Sequence, residues 1–427
     1  MKKYFLFIIF FFNVLAGYSQ ERQSLKLSHS EVETLFLKNN LQLIAERFNI
    51  DIADAAIAQA KLWDNPTLSA SNFNLWSTKS QQNEIKDVAT SSFIKNTQFS
   101  IELSQLIQTA NKRNKLVRRE KVSKEIAMQE FEDILRGLKA ELRKSIYELQ
   151  YLQTYLSILL NQHQSVNQIV ESYEKQVKQG NLAKSELLRL QSSLLELENE
   201  INTTQFDLTE QEKNLKILLD IDPLTHVEIT GNRDIEKNPT SIILSDLLFT
   251  ADEIRPDMKR QKLQTQYHQK TLDYEKSLRV PDITLNASYD RYGGVWKDFV
   301  GFGVSIDLPL FNRNQGNIRT ARLNMEQSIY LAQQQQNTMH HEIAAAYNSY
   351  LHAYNFYKRI EDNSLLPELD GMLEIYAKNL LNRNISMLEY VDFMDTYKSN
   401  KQTMLTAKKN VCIQFEELQY TVGTDIK

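Results

Sequence analysis

FEDILRGLKAELRKSIYELQYLQTYLSIL occupies residues 131–159, and QGNLAKSELLRLQSSLLELENEI occupies residues 179–201. In the first stretch Phe131, Leu135, Leu138, Leu142, Ile146, Leu149, Leu152, Leu156 and Leu159 recur about every 3.5 residues, the period of helices that wrap on one another. In the second, Leu187, Leu190, Leu194, Leu197 and Ile201 resume that spacing after a break at Gln179-Gly180-Asn181. Leu103–Glu200 therefore holds the pattern of a long antiparallel helical hairpin, placed over residues 111–219. A first arm over Asn111–Gln179 would be on the order of 100 Å long at the α-helical rise.

Ahead of the hairpin the period changes. Residues 28–62 read as helix, with Ser28 or Ser30 as cap. Residues 66–77 and 93–107 read as strands, separated by a polar stretch over 78–92; Thr97, Phe99, Ile101 and Leu103 alternate with Gln98, Ser100 and Glu102. Residues 220–240 hold Pro223, Gly231 and Pro239 and interrupt the pattern, with one short strand at His226–Thr230. The plan then repeats. Helix over 241–279, interrupted near Arg255-Pro256-Asp257, leads to strands at 281–292 and 299–310, joined by a turn containing Gly293-Gly294. A second hairpin fills 312–420, its first arm bent at Pro367 and its break at Arg383-Asn384-Ile385-Ser386. Pro66 and Pro281 open strands 215 residues apart, and Asn181 and Asn384 sit in the two breaks 203 apart. The offsets mark an old duplication with small insertions. The expected organisation is a first repeat over 20–240 and a second over 241–427.

Residues 1–19 read as a secretory signal peptide: Lys2 and Lys3, then the apolar run Tyr4–Val14, then Ala16-Gly17-Tyr18-Ser19. Cys412 is the single cysteine, so no internal disulfide supports an exported fold. Eleven Gly and seven Pro in 427 residues leave little room for loops. A net charge of −4 carries no nucleic-acid footprint. No phosphate loop, nucleophile elbow or metalloenzyme His motif is present. His340, His341 and His352 read as a solvated helix face. No enzymatic activity, cofactor or bound metal is expected.

The four strands decide between two architectures. In 299–310, Val300, Phe302, Val304, Ile306, Leu308 and Leu310 face one way, and Gly301, Gly303, Ser305, Asp307 and Pro309 the other. A greasy face against lipid and a small, polar face against a wet lumen would produce this alternation. Ser100, Glu102, Ser305 and Asp307 would then line the lumen. Four strands cannot close a barrel, and open edges cannot lie in lipid, so several chains would have to contribute. A small soluble sheet under a helical layer would alternate in the same way.

The chain resembles the TolC-like outer-membrane factor family, the exit ducts of bacterial tripartite efflux and secretion systems. Four stretches carry the resemblance: Arg255-Pro256-Asp257-Met258 leading to Pro281-Asp282-Ile283-Thr284-Leu285; Gly301–Phe311 running into a long helix; Tyr173-Glu174 with Gly180–Leu188; and Asn384–Asp392. The resemblance implies a mainly α fold with a membrane β-barrel part. Three chains would form a 12-stranded barrel in the outer membrane and an α-helical barrel across the periplasm. It implies a homotrimer, with the tips at Gly180, Asn181, Leu182, Ser185, Asn384, Ile385 and Ser386 docking a periplasmic adaptor protein, and an inner-membrane pump of the RND class behind it. Glu389 and Asp392 match the family's periplasmic gate. Leu62-Trp63-Asp64-Asn65-Pro66 is similar to the heavy-metal-exporting branch. Multidrug export, type I secretion, or a coiled-coil structural role at the surface are the competing readings.

Overall fold

The computed structural model describes residues 24–73, 98–231, 238–291, 296 and 298–426. The signal segment, the 78–92 stretch, and the expected strand residues 74–77 and 93–97 lie outside the described residues, as does most of the turn near 293. The chain packs as two units. One takes residues up to Glu46, Phe131–Pro256 and the chain from Asn337; the other takes Arg47–Glu130 and Asp257–Gln336. Each unit draws on both sequence repeats, so duplication and packing divide the chain differently.

The first unit holds a two-stranded parallel sheet. Strand β1 (Ser24–Ser28) pairs with β4 (His226–Thr230), Ser24 opposite His226 and Ser28 opposite Thr230. Helix α1 (His29–Asn39) begins in a capping box, in which Ser28 Oγ accepts from the Glu31 N–H and Glu31 accepts from the Ser28 N–H. The single helix expected over 28–62 is interrupted at Asn40, where α2 (Leu41–Ala60) starts. The Asn40 Oδ1 accepts from the Leu43 N–H at 2.9 Å, an N-cap that competes with continuing the helix. Its Nδ2 donates to the Leu218 carbonyl at 2.8 Å, at the end of the returning arm of the first hairpin.

The two arms of that hairpin are α3 (Lys112–Lys178) and α4 (Lys184–Leu219). The second repeat copies the plan with α5 (Leu244–Ile254), α6 (Pro256–Ser277), α7 (Gln315–Glu361), α8 (Leu365–Leu381) and α9 (Met387–Val422). Arg255 stands where Asn40 stands, between two helices, and its Nη1 donates to the Thr421 carbonyl at 2.8 Å, at the end of α9. Both returning arms stop in the left-handed region, at Asp220 (φ 52°) and Gly423 (φ 92°). A Cβ on Gly423 would fall 2.8 Å from Arg255 Cγ, so only glycine fits beneath that arginine. The bend expected at Pro367 falls instead at Asp362–Ser364, between α7 and α8. Pro367 sits in the first turn of α8, where its missing N–H has no intrahelical partner to lose.

The apolar seam read from residues 131–159 is buried. Leu138, Leu142, Ile146 and Leu149 pack with Val32, Phe36, Leu43, Leu215, Leu218, Leu219, Val227 and Ile229. Each such side chain contributes about 1.5–3 kcal/mol by leaving water. Gln153 of α3 finishes the sheet edge: its Nε2 donates to the Val227 carbonyl and its Oε1 accepts from the Ile229 N–H. Further along, Tyr155 rather than Leu156 takes the buried place, its hydroxyl donating to Glu200.

The second unit holds an antiparallel sheet of β2 (Thr67–Ser71), β3 (Phe99–Ile107), β5 (Ile283–Arg291) and β6 (Phe299–Ile306), in the order β2-β3-β5-β6. β6 ends four residues short of the expected Leu310, because its partner β5 begins at Ile283, directly opposite Ile306. The register sorts residues into rows that share a face. Leu68, Leu103, Ala287 and Phe302 form one row, and Ala70, Ile101, Tyr289 and Val300 the next. On the other face Ser69, Glu102, Ser288 and Gly301 are in line, as are Thr67, Ser104, Asn286 and Gly303. The sheet is tied to the helices below it by Asp282, which accepts from the Thr109 N–H at 2.8 Å and from Lys112 Nζ at 2.7 Å. Among the described residues no helix is long and apolar enough to cross a membrane.

A buried arginine organises the charges of the first unit. Arg143 Nε donates to Glu33 at 2.7 Å, and its Nη1 to Glu416 at 3.0 Å and to Asp425 at 2.7 Å. Burial opposes the guanidinium charge, but the bonds to Asp425 and Glu33 and the field of Glu416 outweigh it and raise its pKa. Arg143→Met should cost about 3–5 kcal/mol in denaturant unfolding, because it leaves the buried Glu416 uncompensated. Arg143 also holds the Asp425 carboxyl below its usual 3.8. A depressed acid binds fewer protons folded than unfolded. Its stabilisation is therefore complete above about pH 4 and lost as pH falls below that value. Asp425→Asn should remove that part of the acid sensitivity in thermal unfolding measured from pH 6 to pH 3.

Candidate functional site

The two hairpin tips are built from one motif used twice. At the first, Gly180 N–H donates to Val177 O at 3.0 Å and Asn181 N–H to Gln176 O at 2.9 Å. At the second, Arg383 N–H donates to Leu380 O at 3.0 Å and Asn384 N–H to Asn379 O at 2.8 Å. Both are Schellman endings with the penultimate residue left-handed, Gly180 at φ 76° and Arg383 at φ 63°. The asparagine side chains repeat the pattern. Asn181 Nδ2 donates to Gln176 Oε1 at 3.1 Å, and Asn384 Nδ2 to Asn379 Oδ1 at 3.2 Å. The tips touch through Arg383, whose Nη2 donates to the Asn181 carbonyl at 3.4 Å.

Of the residues expected to dock a partner, Gly180, Asn181, Ser185, Asn384 and Ser386 are exposed. Leu182 and Ile385 instead turn inward. They pack on the cluster of Val166, Ile169, Val170, Tyr173, Leu190, Met387 and Tyr390 that holds the two hairpins together. They serve as staples across the start of each returning arm. The same cluster contains Phe393, stacked on Tyr376 with ring centroids 4.0 Å apart.

Glu389 and Asp392 are both exposed, one turn apart on α9, while Tyr390, Phe393 and Met394 of the same helix are buried. Asp395, another turn along, is exposed as well and extends the acidic stripe. Its three-residue spacing from Asp392 was available in the sequence. Glu389 also has a local task. Ser386 N–H donates to Glu389 Oε2 at 2.7 Å and Ser386 Oγ to the same oxygen at 2.9 Å, while Glu389 N–H donates back to Ser386 Oγ at 3.2 Å. The Ser386-x-x-Glu389 capping box was written in the sequence. The bonds from the Ser386 backbone and hydroxyl hold the Glu389 carboxyl below its ordinary value, so it is charged at neutral pH. The first tip has no such box, because Ala183 takes the cap position and offers no side-chain acceptor.

On the sheet, Ser100, Glu102 and Ser305 lie on the polar face, as the cross-strand pairs Ser100–Asp290, Glu102–Ser288 and Ser305–Thr284 require. Asp307 lies one residue beyond β6 and is exposed. Phe302 is 88% exposed and Val304 66%, both on the opposite, apolar face. His340 Nε2 lies 3.1 Å from Asp252 Oδ2. Among the described residues no three His, Cys, Asp or Glu side chains gather as metal ligands.

A family model described as outer membrane efflux protein matches residues 34–219 and 247–358, most of both repeats. The chain belongs to this family. Two proteins of similar sequence are the toxin and drug export protein A of Aggregatibacter actinomycetemcomitans and the cobalt-zinc-cadmium resistance protein CzcC of Cupriavidus metallidurans. The first is 23% identical over 312 residues, covering 69% of this chain and 65% of its own length. The second is 20% identical over 297 residues, covering 69% and 66%. The chain thus spans just under two thirds of each. Among solved structures, CusC superposes with a TM-score of 0.73 at 17% identity, over 92% of both chains. The Campylobacter jejuni CmeC outer membrane channel superposes with a TM-score of 0.75 at 16% identity, over 93% of this chain and 86% of its own. At these identities the likeness is one of fold, and the fold is that of the family's outer-membrane channels.

Three substitutions read out the tip chemistry. Arg383→Gly should stabilise the second tip by up to about 1 kcal/mol by relieving a left-handed non-glycine residue, whereas Gly180→Ala should cost the first about 1 kcal/mol. Amide hydrogen exchange at 376–390 and 173–187 separates the two effects. Ser386→Ala should cost about 1 kcal/mol of helix stability and raise the Glu389 pKa toward the ordinary carboxylate value, followed by carboxyl-carbon NMR titration.

Proposed function

We propose that the chain is one third of an outer-membrane exit duct, through which substrates pass passively from the periplasm to the outside. The carrying observation is the four-stranded sheet. It turns rows of Leu, Ile, Val and Phe outward, and among the described residues β2 and β6 each keep one unpaired edge. Nine residues of β3 span about 27 Å, close to the thickness of a bilayer's apolar band. Lipid accepts such a face but not open backbone edges, so the edges have to close on other copies. Three copies give twelve strands, with Ser100, Glu102, Ser305 and Asp307 toward the lumen. Membership of the outer membrane efflux protein family supports this assembly and the location in the outer membrane, with the helical hairpins reaching into the periplasm.

In this reading the exposed tip residues Gly180, Asn181, Ser185, Asn384 and Ser386 receive a periplasmic adaptor protein, and an inner-membrane pump of the RND class supplies the energy. Leu182 and Ile385 support those tips from within. Glu389 and Asp392 form the periplasmic gate. Repeated around a threefold axis, they place six carboxylates at a narrow opening, which favours cations over anions. One sequence relative is a toxin and drug export protein and the other a cobalt-zinc-cadmium resistance protein, so the substrate follows the pump. Divalent metal cations are the class that the acidic stripe favours.

Reconstituted in planar bilayers, the wild-type channel should be cation-selective and blocked by millimolar divalent cations. Glu389→Ala with Asp392→Ala should lower both the selectivity and the block while raising conductance. Unchanged selectivity and block would remove the gate assignment. Absence of a heat-modifiable trimer from the outer-membrane fraction would remove the duct itself and favour a structural coiled-coil role.

A further inference from the structure

The start of α3 carries more positive charge than its surroundings neutralise. Residues 112–124 include Lys112, Arg113, Lys115, Arg118, Arg119, Lys121 and Lys124 against a single acid, Glu120. Lys112 pairs with Asp282, Arg119 with Glu120 and Lys124 with Asp54. Arg113, Lys115, Arg118 and Lys121 have no carboxylate partner among the described residues. Cations in the first turns of a helix work against its dipole, so intrahelical electrostatics does not account for them.

Arg113 is the best-defined of the four. Its guanidinium lies over the Trp63 ring, 3.9 Å from the centroid. Its Nη1 is buried and makes no hydrogen bond to the protein, an unsatisfied charged donor beneath this surface. The nearby acids are engaged elsewhere: Asp64 Oδ2 accepts from Gln108 at 2.8 Å, and Asp282 is held by Thr109 and Lys112. Trp63 is 60% exposed. The pair also sits at the rim of the apolar sheet face. Gln105, in the row with Leu285 and Val304, bends down from that face to donate to the Asp64 carbonyl at 2.9 Å, next to Trp63. At the other end of the same face Phe73, Phe99 and Tyr289 form a ladder with centroid separations of 6.4 and 5.9 Å. An apolar band bounded by aromatic rims is the surface of a membrane strand, and here one rim is strongly cationic.

We propose that Trp63 and Arg113 form a binding site for the phosphodiester of an anionic phospholipid in the membrane leaflet nearest the helices, with Lys115, Arg118 and Lys121 supplying a screened attractive field. The indole sits at headgroup depth, the N–H groups of the stacked guanidinium other than the buried Nη1 face the phosphate, and the acyl chains lie along Leu103, Leu285 and Val304. Arginine suits this role because its delocalised charge stacks on an indole while presenting several donors to phosphate oxygens. This inference rests on the membrane placement of the sheet argued above, and its test separates the two.

The test uses the full-length trimer with W76F and W296F, so that Trp63 is the sole indole, reconstituted in phosphatidylcholine vesicles. Small fractions of phosphatidylglycerol or phosphatidylcholine with brominated acyl chains are added, and quenching of Trp63 is measured. Free phosphate cannot quench, so the signal reports bound lipid. Brominated phosphatidylglycerol should quench at about fivefold lower mole fraction than brominated phosphatidylcholine, the preference expected of one cation at a membrane surface. Arg113→Gln should abolish the preference and Arg113→Lys should retain part of it. Equal quenching by the two lipids, or a preference that survives Arg113→Gln, would overturn the site. No quenching by either lipid would overturn the membrane placement of the sheet as well.

Discussion

A helix of 67 residues has no interior of its own, and the arrangement of the first unit follows from where such a helix can hide its apolar seam. Near the middle of α3 the seam meets α1, the end of α4 and the parallel strand pair. Toward its far end it meets the second hairpin, through the aromatic cluster around Tyr173, Tyr390 and Phe393. The charged residues that remain buried are then forced into partnerships, and Arg143 with Glu33, Glu416 and Asp425 is the densest of them. The sheet in the second unit faces the opposite problem. Its apolar residues are exposed, and among the described residues its two outer edges have no strand to pair with. Helices bury their seam within the chain, whereas in the proposed duct the sheet leaves its closure to other copies and to lipid.

The duplication shows which contacts the fold requires and which it varies. In both repeats a residue between two helices donates to the last turn of the returning arm, yet it is Asn40 in one and Arg255 in the other. The longer arginine reaches farther and passes over Gly423, which explains the glycine. Where Asn40 does the work, the corresponding left-handed position tolerates Asp220. The tips diverge in the same manner. Gly180 adopts its positive φ at no steric cost, while Arg383 accepts strain and contributes a direct bond between the tips. Only the second returning arm opens in a capping box, which draws Glu389 into holding its own helix end in addition to the gate charge proposed for it.

Features encoded over a few residues were legible in the sequence, and those set by distant contacts were not. Period, breaks and duplication are local properties, and they located all four barrel strands, both hairpins and the β4 segment. The misplaced features were those decided by competition. Pro367 breaks a helix in isolation, but the chain found a cheaper break at Asp362–Ser364 and used the proline inside a first turn. Asn40 was passed over because an N-cap inside an Ala- and Leu-rich stretch has no weight until Leu218 is seen to need a donor. Leu182 and Ile385 looked like surface docking residues because apolar residues in a turn are ambiguous until the neighbouring core is known.

By itself the sequence determined the helical hairpins, the alternating strands and their repetition, because hydrophobic periodicity acts over a few residues and survives any tertiary context. It also carried the acidic pair Glu389 and Asp392 and the tip positions. Tertiary structure alone decided which strands are neighbours and which residues share a row across the sheet. It also brought Arg383 to Asn181, and Arg113 over Trp63. These juxtapositions join residues tens to hundreds of positions apart. No local pattern encodes them; they exist because burying the helical seams and aligning the strand register leaves each of these side chains one place to go.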